Sequence, residues 1–263
     1  EALKVTGLTH VVVASGYNLT ILVRLCRRIF GKISRYQAAI WGVLLIVGFM
    51  ALTGWSASMS RAGLVAVLSV WAWYYGRRFH PVTLLVFAAA VTVAVTPSYA
   101  WGDVGWLLSF AAFAGVLIVA PLSQAYFFGR DSVPSIAQLL IETVAAQLLT
   151  LPIVLGVFGQ LSVVAVISNL LVVPLIPLAM LAVFATGVIH LIAPWFMAVS
   201  WLTESLMGYM LGVVHWTAGL PWAQIKWQMS PLAVIGTYAV FVAACMYIWR
   251  VTKLQLRNVN IVE

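Results

Sequence analysis

Residues 231–250 read PLAVIGTYAVFVAACMYIWR, and the charged residue of this stretch is Arg250 at its end. A helix needs about 20 mostly apolar residues to cross the hydrocarbon core of a bilayer. Lipid offers no hydrogen bonds to a backbone, so a spanning segment has to satisfy its own polar groups, as a helix does. The stretch is therefore predicted to be a transmembrane helix.

Similar stretches recur along the whole chain of 263 residues. Hydrophobic residues make up 64% of the sequence and charged residues 8%. Soluble domains are about half apolar and a quarter charged, so a water-soluble fold could not bury this much apolar surface. We predict an all-α, polytopic transmembrane helical bundle of about nine spans, at residues 5–24, 37–54, 60–76, 82–98, 104–123, 136–158, 162–189, 195–219 and 231–250.

The segment at 162–189 differs from the others because Pro174 and Pro177 interrupt it. Proline removes a helical hydrogen bond and clashes with the preceding turn. The pattern fits a kinked span, a re-entrant pair or a helix that lies in the membrane interface. The sequence leaves these three open, and the side of the membrane reached by the C-terminus depends on the choice.

Basic residues collect in alternate gaps between the predicted spans, while the opposite gaps hold little beyond Arg61 and Lys226. Cytoplasmic loops of membrane proteins are enriched in Lys and Arg. We therefore expect a multi-pass protein of the cytoplasmic membrane with its N-terminus outside. The same enrichment accounts for the net charge of +8 without a nucleic-acid ligand. The richest gap contains Arg24, Arg27, Arg28, Lys32 and Arg35.

The first predicted span carries an unusual density of polar residues, with His10, Ser15 and Asn18 close to Gly16. Polar groups in hydrocarbon need a partner or a wet cavity. Gly16 weakens the helix by about 1 kcal/mol relative to alanine. Two interpretations stay open: these side chains line a water-filled cavity, or they bond to neighbouring helices and hold the bundle together.

Later spans continue the polar series. Arg61 falls near the outer end of its span, where its charge can reach the interface, and Asp103 is a candidate partner for it. Gln147 belongs to a polar stripe on one helix face, which is typical of a water-filled path. The full set of polar-path candidates is His10, Ser15, Gly16, Asn18, Arg61, Ser109, Glu142, Gln147, Gln160 and Asn169.

Gly208 and Gly212 form a GxxxG pair in the eighth predicted span. Small residues at this spacing let two helix backbones approach closely in a membrane. We predict that both glycines are helix-packing residues.

The sequence offers few of the patterns that carry enzyme chemistry. It contains no G-x-x-x-x-G-K-[ST], HExxH or GxSxG, and its four histidines do not cluster with acids or cysteines at metal-site spacing. We expect no enzyme activity, no catalytic residue, no metal and no cofactor. Directional transport would then depend on a partner or a gradient.

Four blocks of sequence carry a family resemblance. Together they resemble, in order and spacing, the signature of ComEC-type competence proteins: GLxHLxAISGxH, SxxRAxxM, DxGFQLSF after a proline, and AQxxTLP with FGQxS and ANLxxxP. In this chain the blocks are TGLTHVVVASGYN at 6–18, SMSRAG at 58–63, DVGWLLSF at 103–110 after Pro97, and AAQLLTLP, FGQLS and SNLLVVP within 145–174. Weaker similarity continues through Leu220 and Pro221.

The resemblance implies an inner-membrane channel that takes up single-stranded DNA during natural transformation. The implied partners are the lipid bilayer, single-stranded DNA, a separate DNA receptor and a helicase-like ATPase, with a homo-oligomer left open. Residues 1–263 are expected to form a single transmembrane competence-type domain without the OB-like and metallo-β-lactamase-like domains of many relatives. Asn18 stands where many members have histidine and cannot titrate, and Trp106-Leu107 replaces the usual Phe-Gln.

Two other functions stay open on the residues alone. A small-molecule or lipid transporter would need a discrete binding pocket in the middle of the membrane and, often, an internal repeat, which the sequence does not show convincingly. A structural membrane subunit would use the same polar groups only for helix packing.

Overall fold

The computed structural model describes residues 2–8, 16–32, 34–54, 56–77, 80–129, 134–192, 195 and 198–254. Contacts divide the chain into two compact units. Unit 1 consists of Glu1–Val13 and Gln160–Lys226, and unit 2 consists of Ala14–Gly159 and Trp227–Glu263. Each unit is therefore built from two separate stretches of the sequence.

The described chain is almost entirely helical. Two short strands, β1 (Gln160–Ser162) and β2 (Gln224–Lys226), form an antiparallel pair in unit 1. The middle of α6, Gly115–Val119, is π-helical. In chain order the helices are α1 (Ala2–Val5), α2 (Gly16–Phe30), α3 (Arg35–Thr53), α4 (Ala57–Tyr74), α5 (Pro81–Val95), α6 (Val104–Phe127), α7 (Ser135–Val157), α8 (Ala165–Val172), α9 (Ile176–Ile192), α10 (Ala198–Ala218) and α11 (Pro231–Thr252).

The first three helices of unit 2 pack around one apolar cluster. Leu19 and Val23 of α2 meet Ile46 of α3 and Val70 of α4, and each of these side chains is at most 2% exposed. The short connections after α2 and α3 make neighbouring helices antiparallel, so the ends of α2 and α4 lie beside the start of α3. Cys26 near the end of α2 donates to the Ala38 carbonyl near the start of α3, in keeping with this arrangement.

The remaining helices of unit 2 surround α6. Helix α5 buries residues four apart, among them Leu84, Ala88 and Thr92. Helix α7 runs along α6, and α11 contacts the end of α6 and part of α7. None of the residues of α11 is buried, and its exposed side chains are mostly apolar. Such a surface suits lipid rather than water.

Unit 1 is held by a second apolar cluster. Leu8, just after α1, packs with Val172 of α8 and with Val213 and Val214 of α10. Helices α9 and α10 also contact each other, and their Thr186 and Thr203 hydroxyls lie 2.7 Å apart.

The all-α fold predicted from the sequence is confirmed, but the predicted number of nine membrane spans is not confirmed. Helix α5 has 15 residues and is about 22 Å long, which is less than the roughly 30 Å of a hydrocarbon core. Within the described part of the chain, five helices are long and apolar enough to cross a membrane: Arg35–Thr53, Val104–Phe127, Ile136–Val157, Ala165–Ile192 and Pro231–Thr252.

The proline-interrupted segment is one continuous helical run. A single 3-10 turn, Val173–Leu175, joins α8 to α9. The backbone stays in the right-handed helical region at Val172, Val173 and Ile176. The chain therefore does not reverse at the two prolines, which favours a kinked helix over a re-entrant pair that turns there.

Candidate functional site

Arg61 of α4 is the best-defined polar residue inside unit 2. Its Nε donates to Ser109 Oγ of α6 at 2.7 Å. Its guanidinium carbon lies 4.8 Å from the centre of the Phe113 ring and 5.8 Å from that of Phe110. Aromatic faces attract cations. The charge is therefore held by one hydroxyl and two rings, and the residue as a whole is partly buried.

Ser58 extends this contact into a small network. Ser109 Oγ donates to Ser58 Oγ at 3.4 Å. Ser58 and Arg61 are three residues apart on α4, and Phe110 and Phe113 are three apart on α6, so each pair shares a helix face. The network thus joins α4 to α6 along matching faces.

Capping contacts fix the ends of the two helices beside this network. The Ser56 hydroxyl accepts from Met59 N at 3.2 Å, and Asp103 Oδ1 accepts from Trp106 N at 2.7 Å. Asp103 therefore caps α6, whereas the sequence offered it as a partner for Arg61. Among the described contacts, Asp103 and Arg61 therefore have separate partners. A capping carboxylate accepts from backbone amides two or three residues later in its own chain.

The functional group of this site is the guanidinium of Arg61. Ser109 takes the Nε hydrogen of Arg61, and no described residue accepts from the two terminal nitrogens. A guanidinium presents five N–H donors in a planar fork that fits the oxygens of a phosphate. Ser109 and the two rings fix the orientation of Arg61, and its terminal nitrogens have no described acceptor.

Helix α7 touches α6 backbone to backbone. A Cβ on Gly115 would lie 2.6 Å from the Ala145 carbonyl oxygen and 2.8 Å from the Ala146 Cα. This contact coincides with the π-helical turn of α6. It also fixes the segment of α7 that carries Gln147, whose side chain is partly buried.

The other polar candidates of unit 2 are more scattered. Gly16 begins α2, and Asn18 follows in its first turn with a buried Oδ1 to which no described group donates. Glu142 accepts from Gln138 Nε2 at 2.9 Å on an exposed face of α7. His10 and Ser15 lie outside the described residues. In unit 2 the structure thus brings Arg61 and Ser109 into direct contact.

Gln160 and Asn169 belong to unit 1. Gln160 is in β1, opposite Lys226 of β2. Asn169 is buried in α8, and among the described residues its Oδ1 has no donor. The neighbouring Ser168 donates to Thr217 Oγ1 of α10 at 3.2 Å, a buried contact that the sequence gave no reason to expect.

Gly208 and Gly212 lie on the exposed face of α10. A Cβ at either position would meet no atom within 4 Å. Within the described chain they therefore do not bring two helices together. Their role in helix packing stays a prediction.

Sequence reasoning missed Phe113 and the pairing of Ser58 with Ser109. Their helical spacing was the available signal, because it places Ser58 with Arg61 and Phe113 with Phe110. Helical spacing shows which residues share a face of one helix, but it does not show which faces of two helices meet.

Comparison with known proteins gives one family. The profile of the family described as "Competence protein" matches residues 1–251. A curated relative, "ComE operon protein 3" of Bacillus subtilis (strain 168), is 27% identical over 210 residues, which cover 75% of this chain and 26% of the relative. The chain therefore spans about a quarter of the length of that relative. No solved structure matches the chain.

Proposed function

The chain belongs to the Competence protein family, and from this we propose that it forms part of a membrane path for the inward passage of single-stranded DNA during natural transformation. The family match supports a role in competence, and the apolar helices support a location in a membrane. The more specific elements of the proposal are the channel, the single-stranded substrate, the cytoplasmic membrane and an external N-terminus. They rest on the resemblance of the sequence blocks and on the polar groups inside unit 2.

The observation that carries the proposal is the Arg61–Ser109 contact. Two family blocks that are far apart in sequence meet there, at a cation whose terminal nitrogens are not bonded to any described residue. A DNA strand carries one negative charge on each phosphate. A single oriented guanidinium attracts the strand and still lets each phosphate leave for the next, whereas a ring of cations would hold it.

The rest of the path would be neutral and wet. Asn18 has a buried amide oxygen without a described donor, and an amide of this kind needs water or a passing ligand to be satisfied. Hydroxyl and amide groups exchange hydrogen bonds with water at little cost, so they do not trap a polyanion. The role we propose is conduction rather than catalysis. A separate DNA receptor would capture the DNA, and a helicase-like ATPase would drive its movement.

The test is complementation of a deletion strain of a transformable host, scored by uptake of labelled DNA. The Arg61→Gln variant loses a charge-assisted hydrogen bond, so its uptake of DNA should fall about tenfold to hundredfold. Arg61→Lys keeps the charge without the planar fork and should retain part of the uptake. Arg250→Gln, an exposed arginine at the end of α11, is the matched control and should leave uptake unchanged.

The amount of protein in the membrane has to be measured beside uptake. If Arg61→Gln supports normal uptake at a normal protein level, the conducting role of Arg61 is wrong. If the protein level and uptake fall together, with uptake per molecule unchanged, Arg61 serves packing.

A structural subunit is the second candidate, and specific contacts favour it. Thr150 donates to carbonyl oxygens of its own helix, and so does Thr186, which also contacts Thr203 of the next helix. The buried Ser168–Thr217 bond likewise joins two helices. The Thr186–Thr203 and Ser168–Thr217 contacts hold helices together without lining a path. The measurement of uptake per molecule separates this function from conduction.

A further inference from the structure

One end of the α2–α4 group carries a dense set of cations. Five of them are exposed, and we call these residues the basic rim. Three come from the last turns of α2 and the turn after it, one from the first turn of α3, and one from the turn after α4. The members of the basic rim are Arg24, Arg28, Lys32, Arg35 and Arg77.

Contacts between the helices hold this end together. Arg27 Nη2 donates to the Ser69 carbonyl of α4 at 2.8 Å, and its guanidinium lies 4.9 Å from the centre of the Trp73 ring. Phe30 of α2 stacks on Trp41 of α3 with ring centres 5.8 Å apart. The rim therefore sits on a packed junction of three helices, with Arg27 as a sixth charge beneath it.

A turn after α4 adds Arg77 to the same end. Gly76 has a φ of 65°, Gly76 N donates to the Trp73 carbonyl, and Arg77 N donates to the Ala72 carbonyl. This pair of bonds is the usual helix ending with a left-handed glycine, and it folds the chain back over the last turn. Arg77 is consequently fixed beside the end of α4.

No carboxylate of the described residues compensates these charges. Among the described residues, Asp103 caps α6 and Glu142 bonds to Gln138. Arg35 stands in the first turn of α3, where the helix dipole disfavours a cation, so it does not serve helix stability. The cations of the basic rim therefore need anions from outside the described chain to balance their charge.

The surroundings of the rim indicate which anion. Five aromatic side chains on α3 and at the end of α4 are exposed here, and Trp and Tyr are enriched where membrane helices meet the headgroup layer. Farther along α3, apolar residues such as Leu44 and Val47 are exposed as a lipid-facing surface requires. We propose that the basic rim binds the phosphates of anionic phospholipids. The five aromatic residues are Tyr36, Trp41, Trp71, Tyr74 and Tyr75.

The proposal is tested by lipid binding to the purified full chain in detergent micelles, counted by native mass spectrometry. The probes are phosphatidylglycerol, phosphatidylcholine and oligothymidylate. Each cation near a membrane surface contributes a similar free energy to the attraction of anionic lipid. The Arg28→Gln/Arg35→Gln variant loses two such contributions, so it should bind phosphatidylglycerol about thirtyfold more weakly. Binding of phosphatidylcholine should not change.

Two further variants make the result decisive. Arg250→Gln/Lys253→Gln removes the same charge from exposed residues at the end of α11 and should keep the affinity for phosphatidylglycerol. Arg28→Lys/Arg35→Lys should keep it too, since a headgroup phosphate needs the charge rather than the fork. If the two glutamine double variants lose affinity for phosphatidylglycerol equally, the effect follows from overall charge and the proposed site is wrong. Preference for oligothymidylate over phosphatidylglycerol, lost in Arg28→Gln/Arg35→Gln, would assign the surface to nucleic acid instead.

Discussion

Arg61 Nε and Ser109 Oγ are 2.7 Å apart, although 48 positions separate the two residues in the sequence. The bond joins α4 to α6 within unit 2. A partly buried guanidinium needs hydrogen bonds and polarisable neighbours to offset the hydration that it loses. Ser109 and the two phenylalanine rings provide them, so the stability of this junction and the orientation of Arg61 depend on the same contacts.

Removing the hydroxyl should weaken the junction measurably. We expect Ser109→Ala to lower the free energy of unfolding by about 1–2 kcal/mol, because a charged donor loses its acceptor. The measurement is reversible unfolding of the purified protein in mixed micelles. Ser205→Ala is the control, since Ser205 is exposed and bonds to the Trp201 carbonyl of its own helix at 2.8 Å. A loss no larger than that of the control would mean that the Arg61–Ser109 bond adds nothing to stability.

The close contact between α6 and α7 leads to a second prediction. Gly115→Ala would place a methyl group 2.6 Å from the Ala145 carbonyl oxygen, and a backbone atom cannot move aside as a flexible side chain does. The helices would have to separate, at a cost of about 1–3 kcal/mol in the free energy of unfolding.

Gly236→Ala serves as the control for this change. Gly236 lies in the interior of α11, where an added Cβ meets nothing within 4 Å, so the substitution should stabilise the helix by about 1 kcal/mol. Thermal unfolding of both variants in one detergent gives the comparison. If Gly115→Ala is as stable as Gly236→Ala, the two backbones are not in contact as described.

The helices were predictable because long apolar stretches specify them without any tertiary information. Residues 231–250 and 37–54 correspond closely to α11 and α3. The partner of Arg61 was not predictable, since any polar group on a nearby span would have satisfied the same pattern. Asp103 looked suitable by position, yet its own chain offers it amide donors at the start of α6.

The short β1–β2 pair was missed for a different reason. Three residues give no periodic signal, and β1 pairs with a strand more than 60 positions away, Gln160 lying opposite Lys226. The four sequence blocks, in contrast, lie in pairs that contact each other in the structure. Two of them meet at Arg61 and Ser109, and Gly7 of the first block meets Ala165, close to the last block.

The Gly7–Ala165 contact supplies the third prediction. Gly7 has a φ of 69°, and a Cβ there would lie 2.7 Å from the Ala165 Cβ. Gly7→Ala should therefore combine a backbone cost of about 1 kcal/mol with a steric cost of similar size. The free energy of unfolding in mixed micelles measures the sum.

Gly129 separates the two contributions to this loss. It has nearly the same φ, 68°, with no atom within 4 Å of an added Cβ, so Gly129→Ala should show the backbone cost alone. In the double variant Gly7→Ala/Ala165→Gly the two methyl groups no longer meet, because one of them is absent. A thermodynamic cycle over the two sites should then give a favourable coupling of about 1 kcal/mol. Strictly additive losses would show instead that the start of α8 already has room for a side chain at position 7, and that backbone conformation alone selects glycine there.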